Sequence, residues 1–309
     1  MPHFEQRIAT PPSNPYSLTK DKDYQAWRTD KLARYPKDVT EMVVNIANPA
    51  KLTKAEYRAL SHAIYRANLV IYRCARPLRD KEELRQLGLQ FGLTRLDANL
   101  CADQDSITSL QAIENGRRGG YIPYTNKSLS WHTDGYYNAM DKQIRAIVMH
   151  CVTPAVQGGE NMYLDHEMLY MQLRDANPAL IATLMRTDVM SIPPNVENGE
   201  EIRTETVGPV FSVDDDGYLH MRYSARKRNI KWLDDEVTRQ ATAMMTQLLE
   251  TSPYILRYKL QANEGVISNN VLHNRTAFED AASEKRLLYR ARYYDRVRAD
   301  EQGNPIIEE

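Results

Sequence analysis

Apolar residues recur along this chain in two spacings, one typical of amphipathic helices and one typical of buried strands. Residues 52–74 have the pattern of an amphipathic helix that runs into an apolar strand, and 80–92 have that of a second helix. Residues 231–250 form a third amphipathic pattern, with Asp234 or Asp235 near its start. The apolar run 143–154 is typical of a core strand. The chain is therefore predicted to adopt a mixed α/β fold.

Polar, turn-rich segments separate these elements. Residues 1–20 are polar and rich in proline, which predicts an N-terminal arm without regular helix. Residues 102–130 predict a loop over the mouth of a site, and 214–217 predict a hairpin turn. We expect a single domain over residues 21–309 after the arm.

Composition indicates an ordinary soluble protein. The 309 residues carry 40 basic and 41 acidic side chains, so the net charge of −1 gives no general basis for binding nucleic acid or membranes. No apolar stretch approaches the ~20 residues that span a bilayer. The three cysteines are widely spaced and odd in number, which argues against a disulfide framework. These features predict a cytoplasmic location in a reducing compartment.

The strongest chemical signal is a pair of potential metal ligands, His132 and Asp134, in the run LSWHTDGYYN. On an extended strand, residues two positions apart project from the same face, so both side chains can reach one ion. His273, in the distant run NNVLHNRTAF, can supply a third ligand. Two imidazoles and one carboxylate are the ligand set of non-haem Fe(II) oxygenases, which leaves positions for O2 and an organic chelator.

A second signal follows His273 in the strand-like run RLLYRARYYDR. Arg286 and Arg290 share one face of this run, and Leu287, Tyr289 and Ala291 lie on the other. An antiparallel strand can return these arginines to the metal site. Because the guanidinium fork binds a carboxylate bidentately, the pattern predicts a carboxylate-bearing co-substrate.

These motifs, in this order, resemble the taurine dioxygenase-like family of Fe(II)- and 2-oxoglutarate-dependent oxygenases. The resemblance extends from about Leu52 to Arg296 and implies a double-stranded β-helix (jelly-roll) core with flanking helices. It implies Fe(II) bound by His132, Asp134 and His273, with 2-oxoglutarate and O2 as further partners. Hydroxylation of a small molecule is the default reaction that the resemblance implies.

The resemblance also implies roles for residues around the co-substrate. Arg286 is expected to hold the distal carboxylate of 2-oxoglutarate, with Arg290 as a secondary residue of the pocket. Asn161 follows the turn QGGE at the position where taurine dioxygenase has a threonine, and an asparagine can donate the same hydrogen bond. A homo-oligomer is expected.

The substrate is predicted less closely. Ser128 stands where taurine dioxygenase has an asparagine of its substrate pocket, and residues 273–278 are closer to the pattern of clavaminate synthase-like relatives. Arginines in 222–228, together with Arg275 and Arg290, favour a small anionic or zwitterionic substrate. The alternatives are a catalytically silent metal-binding sensor or binding protein of the same fold, and a zinc hydrolase on the same three ligands.

The remaining histidines have simpler interpretations. His150 lies in the apolar run IVMHCV and is predicted to be a core histidine hydrogen-bonded to the backbone. His166 is expected at a helix start and His220 within a hairpin strand, and neither is assigned to the metal.

Overall fold

The computed structural model describes residues 14–98, 103, 105–113 and 121–304, in which helices and strands are interspersed. The helices are α1 (Asp21–Arg34), α2 (Lys54–Ala67), α3 (Lys81–Leu89), α4 (His166–Ala176), α5 (Pro178–Leu184) and α6 (Glu236–Thr251). The strands are β1 (Val43–Ile46), β2 (Leu69–Cys74), β3 (Thr108–Leu110), β4 (Leu129–His132), β5 (Ala146–Thr153), β6 (Gln157–Gly158), β7 (Asn161–Leu164), β8 (Met190–Ile192), β9 (Asn195–Glu197), β10 (Glu200–Arg203), β11 (Thr206–Gly208), β12 (Phe211–Val213), β13 (Leu219–Met221), β14 (Lys231–Trp232), β15 (Leu256–Tyr258), β16 (Glu264–Ser268), β17 (Leu272–Arg275), β18 (Phe278–Glu279) and β19 (Leu287–Tyr293). The mixed α/β class is confirmed.

The largest sheet has six strands in the order β1-β2-β16-β5-β19-β3. Strands β1 and β2 are parallel, and the other neighbours are antiparallel. Strand β5 lies inside this sheet, and its residues from Ala146 to Cys151 are all buried, which explains its uninterrupted apolar sequence. Strand β19 pairs with β5 along its whole length, so Arg290 lies opposite Met149.

A smaller sheet positions most of the predicted site residues. Its four strands have the order β15-β7-β17-β4. In its registers His273 lies directly opposite His132, and Asn161 lies opposite Arg275. The strands β11-β8-β14 form a three-stranded sheet, and β10-β9, β12-β13 and β18-β6 form pairs.

Local capping signals set the helix boundaries. Thr53 and Glu56 form a reciprocal capping box at the start of α2, and Asn68 ends that helix in the left-handed conformation at φ 56°. Asp235 caps α6 by accepting a hydrogen bond from the backbone of Thr238. The helices predicted over 52–74, 80–92 and 231–250 are confirmed, and so is the hairpin turn between β12 and β13.

The described part of the N-terminal arm, residues 14–20, packs against the body of the protein. Tyr16 is buried and donates a hydrogen bond to Glu167 at 2.9 Å. In α1, the ammonium group of Lys31 is completely buried and lies 2.6 Å from the carboxylates of both Asp165 and Glu167. Removing Lys31 would leave two buried carboxylates without this cation, so the cluster anchors the N-terminal helix to the start of α4. Residues 1–13 of the predicted arm lie outside the described residues.

The predicted loop over 102–130 is not entirely irregular. Thr108–Leu110 forms strand β3, whose backbone pairs with the edge of β19. The structure thus corrects the loop prediction here, because an open edge of the large sheet offers backbone partners that no local pattern reveals. Residues 102, 104 and 114–120 of this loop lie outside the described residues.

His150 is a core histidine as predicted, but the hydrogen-bond partner found is a side chain and not the predicted backbone group. His150 is buried, its Nδ1 lies 3.2 Å from the hydroxyl of Tyr72, and burial lowers its pKa to about 4. Cys74 and Cys151 are buried free thiols, and Cys101 lies outside the described residues. Among the helices described, none has both the length and the apolar character required to cross a bilayer.

Candidate metal centre

His132 and His273 face each other across the neighbouring strands β4 and β17, with ring centroids 4.3 Å apart. Each Nδ1 lies 2.9 Å from a backbone carbonyl oxygen, that of Ser130 for His132 and that of Val271 for His273. Because a carbonyl only accepts, each Nδ1 carries the proton and each Nε2 keeps a free electron pair. This tautomer is the one in which a histidine can bind a metal through Nε2.

Asp134 reaches the histidines from a turn and not from the strand. This corrects the prediction that His132 and Asp134 project from the same face of one strand. Strand β4 ends at His132, and the chain turns at Gly135, whose φ is 65°. A Cβ at Gly135 would lie 2.4 Å from Cγ1 of Ile144, so this tight turn requires glycine. Only His132 lies on the strand, so the alternation of side chains along a strand does not explain the position of Asp134. The turn brings the Asp134 carboxylate beside the two imidazoles.

Asn270 holds that turn in position, a role that the sequence analysis did not predict. Its Oδ1 accepts a hydrogen bond from the backbone N–H of Asp134 at 2.8 Å. Its Nδ2 donates to the carbonyl oxygens of Asp134 and Ile144, at 2.9 and 2.7 Å. Asn270 is buried and has a positive φ of 52°, a conformation that asparagine tolerates better than most residues. That preference is the one signal by which the sequence could have suggested it.

The three side chains have the spacing of a metal-binding group. Oδ1 of Asp134 lies 3.5 Å from Nε2 of His132 and 3.9 Å from Nε2 of His273. The three ligand atoms lie within 4.8 Å of one another, and the described residues contain no other such group. Ligands about 2.1 Å from one ion at right angles are about 3 Å apart, so a small closure suffices. The buried Oδ2 of Asp134 accepts no well-formed hydrogen bond from the described residues, so the carboxylate keeps free electron pairs for a cation.

The electrostatics of the cluster favour a divalent cation. Burial, the largest single effect, would raise the pKa of Asp134, but the Arg290 guanidinium, the contact with His132 and the charge of Arg292 together outweigh it and hold that pKa well below its usual range. Burial and the neighbouring His132 lower the pKa of His273 to about 4, so this imidazole is neutral at pH 7. An ionised carboxylate beside a neutral imidazole is the protonation state that a metal requires of its ligands.

Arg290, expected as a secondary pocket residue, lies against the predicted ligand Asp134. Its Nη1 is 3.0 Å from Oδ2 of Asp134 and donates a hydrogen bond to Oδ1 at 3.2 Å. Its charge is therefore already paired within the protein. This contact leaves Arg286 as the arginine available to a co-substrate.

Arg286 is buried, and its guanidinium has no carboxylate within ion-pair distance among the described residues. The guanidinium lies 4.9 Å from the ring centroid of Phe278. Burial lowers the pKa of Arg286, and Cys151, Tyr163 and Asp280 oppose this effect. The carboxylate of Asp280 accepts a hydrogen bond from the backbone N–H of Arg286 at 2.8 Å and makes no ion pair with the guanidinium. A buried arginine without a counter-ion is costly, so this position is suited to an incoming carboxylate.

Two polar side chains of β7 lie on the same face of that strand. Nδ2 of Asn161 donates to the carbonyl oxygen of Asn274 at 2.9 Å, which leaves one N–H of that amide for another acceptor. The hydroxyl of Tyr163 is buried without a hydrogen-bond partner in the described structure, and its pKa responds to the charge of Arg286. Tyr163 is a site residue that the sequence analysis missed; its position two residues after Asn161 was the available signal.

Arg275 forms hydrogen bonds with the segment that precedes β4, the strand that carries His132. Its Nη2 donates to the carbonyl oxygens of Thr125 and Lys127, at 2.8 and 2.5 Å. Its guanidinium lies 4.7 Å from the same Phe278 ring that Arg286 contacts. The segment 125–127 is therefore linked to the Arg286 end of the site.

Comparison with known proteins identifies the family of the chain. The model of the Taurine catabolism dioxygenase TauD, TfdA family matches residues 29–292. A protein named uridine-5'-phosphate dioxygenase from Streptomyces sp is 26% identical over 202 residues, which are 62% of this chain and 71% of that protein. A protein of the same name from Amycolatopsis sp is 28% identical over 180 residues, 55% of this chain and 62% of that protein.

Solved structures show the fold. A taurine dioxygenase from Burkholderia xenovorans superposes with a TM-score of 0.57 at 18% identity, covering 88% of this chain and 93% of the other. An asparagine oxygenase, solved with Fe(II), a hydroxyasparagine and succinate, gives a TM-score of 0.53 at 11% identity, covering 82% of this chain and 93% of the other. The architecture described above is thus the one these oxygenases share.

Proposed function

The chain belongs to the TauD/TfdA family of 2-oxoglutarate-dependent non-haem iron dioxygenases, and we propose that His132, Asp134 and His273 hold its iron. The observation that carries this proposal is the approach of three ligand atoms to within 4.8 Å, with both imidazoles in the Nε2-binding tautomer. When bound, iron and 2-oxoglutarate supply the oxidising power: 2-oxoglutarate and O2 are consumed, and succinate and CO2 are released as the substrate is oxidised.

Arg286 is proposed to bind the distal carboxylate of 2-oxoglutarate. Its guanidinium is buried and has no acidic partner in the described structure, so the co-substrate would supply the missing counter-charge. The unpartnered hydroxyl of Tyr163 and the second N–H of Asn161 are donors for the same carboxylate. Arg290 is proposed to orient Asp134 and to keep it ionised, so it acts on the metal ligand and not on the co-substrate.

The proposed substrate is a small organic anion, and the class we propose is a nucleoside 5'-monophosphate. Its support is the match to two proteins named uridine-5'-phosphate dioxygenase, over more than half of this chain in each case. The arginines that suggested an anion in the sequence add little to this support, because Arg290 is paired with Asp134 and the buried Arg222 and Arg275 donate to backbone carbonyl oxygens. Hydroxylation is the proposed outcome.

Several structural features accompany this proposal. We infer that the six-stranded and four-stranded sheets form the two faces of a double-stranded β-helix, since the taurine dioxygenase-like fold has this core. A single catalytic domain over residues 21–309, an N-terminal arm over 1–20, a homo-oligomeric state and a cytoplasmic location are proposed with it.

The experiment compares anaerobic Fe(II)–2-oxoglutarate complexes of the wild type and of His132→Ala. The wild type is expected to show the weak visible absorption of the chelated complex, and the variant is expected to lose it. His62→Ala is the matched control, because His62 is exposed on α2 and far from the site in sequence. Full absorption in His132→Ala would refute the ligand assignment. Substrate-stimulated release of succinate separates the enzyme from a silent binding protein of the same fold.

A further inference from the structure

A half-buried arginine, Arg203, lies over an aromatic ring at the end of the β9–β10 hairpin. Its guanidinium carbon is 5.6 Å from the ring centroid of Tyr137. Its Nη2 donates to the carbonyl oxygen of Pro193 at 2.7 Å, and its Nη1 donates to that of Thr204 at 3.1 Å. Arginine has five N–H groups, so these two bonds fix the side chain and leave three donors for another acceptor.

Arg203 has no carboxylate within ion-pair distance in the part of the chain that the structure describes. Burial lowers its pKa, and the groups that oppose this effect are the phenols of Tyr136, Tyr137 and Tyr121, which are neutral at pH 7. By contrast, Arg290 is paired with Asp134, and Arg292 is paired with Asp97. Of these three arginines, Arg203 is the one that lacks a counter-ion.

Tyr137 connects Arg203 to the metal centre. It follows Asp134 by three residues, which span at most about 11 Å of extended chain. Its hydroxyl accepts a hydrogen bond from Nη1 of Arg292 at 3.1 Å. Arg292 lies on the same face of β19 as Arg290 and contributes to the low pKa of Asp134. Tyr137 therefore borders the region next to the proposed iron.

Along the direction of β19, Tyr137 and Arg203 lie at the opposite end of the site from Arg286, the proposed co-substrate residue. Arg290 and Arg292 share one face of β19, Arg286 immediately precedes the strand at a position of the same parity, and Arg290 contacts Asp134. Arg286 begins the row, and Arg292, which contacts Tyr137, ends it, about 20 Å further along an extended strand. The metal centre thus lies between the Arg286 end and the Tyr137–Arg203 end, so an oxidisable substrate would enter from the latter.

Aromatic side chains lie around the guanidinium of Arg203. The rings of Tyr136 and Tyr137 meet edge to face with centroids 5.2 Å apart, and the hydroxyl of Tyr136 accepts a hydrogen bond from Asn229 at 2.7 Å. Tyr121 joins the group through a 2.5 Å hydrogen bond from its hydroxyl to Glu197 of the hairpin. Aromatic faces beside a guanidinium suit a ligand with both a planar ring and an anionic group.

We propose that Arg203 binds the phosphate of the substrate and that Tyr137 positions its guanidinium. This inference rests on the proposed function and adds to it a specific anion-binding residue. The three free N–H groups of Arg203 can donate to phosphate oxygens, and the ring of Tyr137 restricts the guanidinium to one plane. Through Arg203, the β9–β10 hairpin would then favour binding of phosphorylated over unphosphorylated substrates.

The experiment measures binding to the anaerobic Fe(II)–2-oxoglutarate enzyme by calorimetry, with uridine-5'-phosphate, uridine and inorganic phosphate as probes. The wild type is expected to bind the nucleotide at least about tenfold more tightly than the nucleoside, the scale of one charge-assisted hydrogen bond. Arg203→Gln is expected to lose about tenfold in nucleotide affinity while its affinity for uridine changes less than about twofold. Arg203→Lys should recover part of the loss.

Tyr137→Leu tests the positioning role. It should weaken nucleotide binding, because the guanidinium of Arg203 is no longer held in one plane. In the Tyr137→Leu background, Arg203→Lys should therefore cause no further loss of nucleotide affinity. Arg186→Gln, an exposed arginine paired with Asp188, is the matched control and should bind all probes as the wild type does. Thermal melting of each variant checks that it is folded.

The outcomes separate the two proposals. If the wild type fails to bind 2-oxoglutarate in the presence of Fe(II), the proposed function itself fails. If it binds 2-oxoglutarate but does not distinguish the nucleotide from uridine, the phosphate site is refuted. A folded Arg203→Gln with wild-type affinity for the nucleotide would also refute it.

Discussion

The guanidinium of Arg290 contacts the carboxylate of Asp134, with Nη1 3.0 Å from Oδ2 and a 3.2 Å hydrogen bond to Oδ1. The two residues are 156 positions apart and belong to different parts of the fold, β19 of the large sheet and the turn after β4. Their contact therefore connects the large sheet directly to the candidate metal centre. Because arginine stays charged at every accessible pH, it keeps the carboxylate ready for a cation.

Arg290→Gln is expected to weaken metal binding, most strongly at low pH. Without the guanidinium the pKa of the buried Asp134 rises, so a proton competes with the metal. At pH 6 we expect a loss of about tenfold in Mn(II) affinity, which should narrow by pH 8 as the carboxylate ionises again. Titrations of Mn(II) followed by electron paramagnetic resonance at both pH values measure this. Arg290→Lys, which keeps the charge, serves as the control, and equal losses at both pH values would contradict the explanation.

Arg286→Ala is expected to weaken 2-oxoglutarate binding by about 2–4 kcal/mol, because it leaves a desolvated carboxylate unpaired. Arg290→Ala should have a smaller effect on the co-substrate when compared at saturating metal. Calorimetric titration of 2-oxoglutarate into both metal-loaded variants ranks them. A larger loss in Arg290→Ala would mean that the two arginines have been assigned the wrong roles.

Asn270→Ala is expected to destabilise the fold and to loosen the metal centre. It removes three buried hydrogen bonds to the Asp134 turn and places alanine at a positive φ, for a combined cost of about 3 kcal/mol. Asn270→Gly removes the same bonds without the backbone strain, so it should cost about 1 kcal/mol less. Urea unfolding of both variants separates the two effects. Unchanged Mn(II) affinity in Asn270→Gly would show that the turn does not depend on this side chain.

His150 is expected to make the protein less stable as the pH falls from 6.5 to 4. Its pKa is about 4 in the folded state, below its value of about 6.5 in the unfolded chain, so in this window the unfolded chain binds the extra proton. Protonation then favours unfolding by up to about 3 kcal/mol. His150→Gln lacks this term, so the difference in unfolding free energy between wild type and variant should change by that amount from pH 7 to pH 4. A constant difference would contradict it.

The sequence was sufficient for features that depend on neighbouring residues. The helices α2, α3 and α6 follow from apolar spacing and from caps such as Thr53 and Asp235, which act within one turn. The identity of the candidate ligands also followed, because few other combinations of side chains bind a divalent metal in this way. Strand β3 was missed because its partner, β19, lies far away along the chain.

What only the tertiary structure decided is which groups meet and which charges remain unpaired. Alternation along a strand predicted correctly that Asp134 lies beside His132, but for the wrong reason. The turn at Gly135, held by Asn270, brings the two side chains together. Local sequence does not distinguish Arg286 from Arg290, because alternation along the run 286–296 predicts one face for both; Arg286 lies one residue before β19. The fold pairs Arg290 with Asp134 and leaves Arg286 and Arg203 without acidic partners among the described residues. The physical reason is that the effect of a charge depends on its distance from others in space, which the order of residues in the chain does not specify.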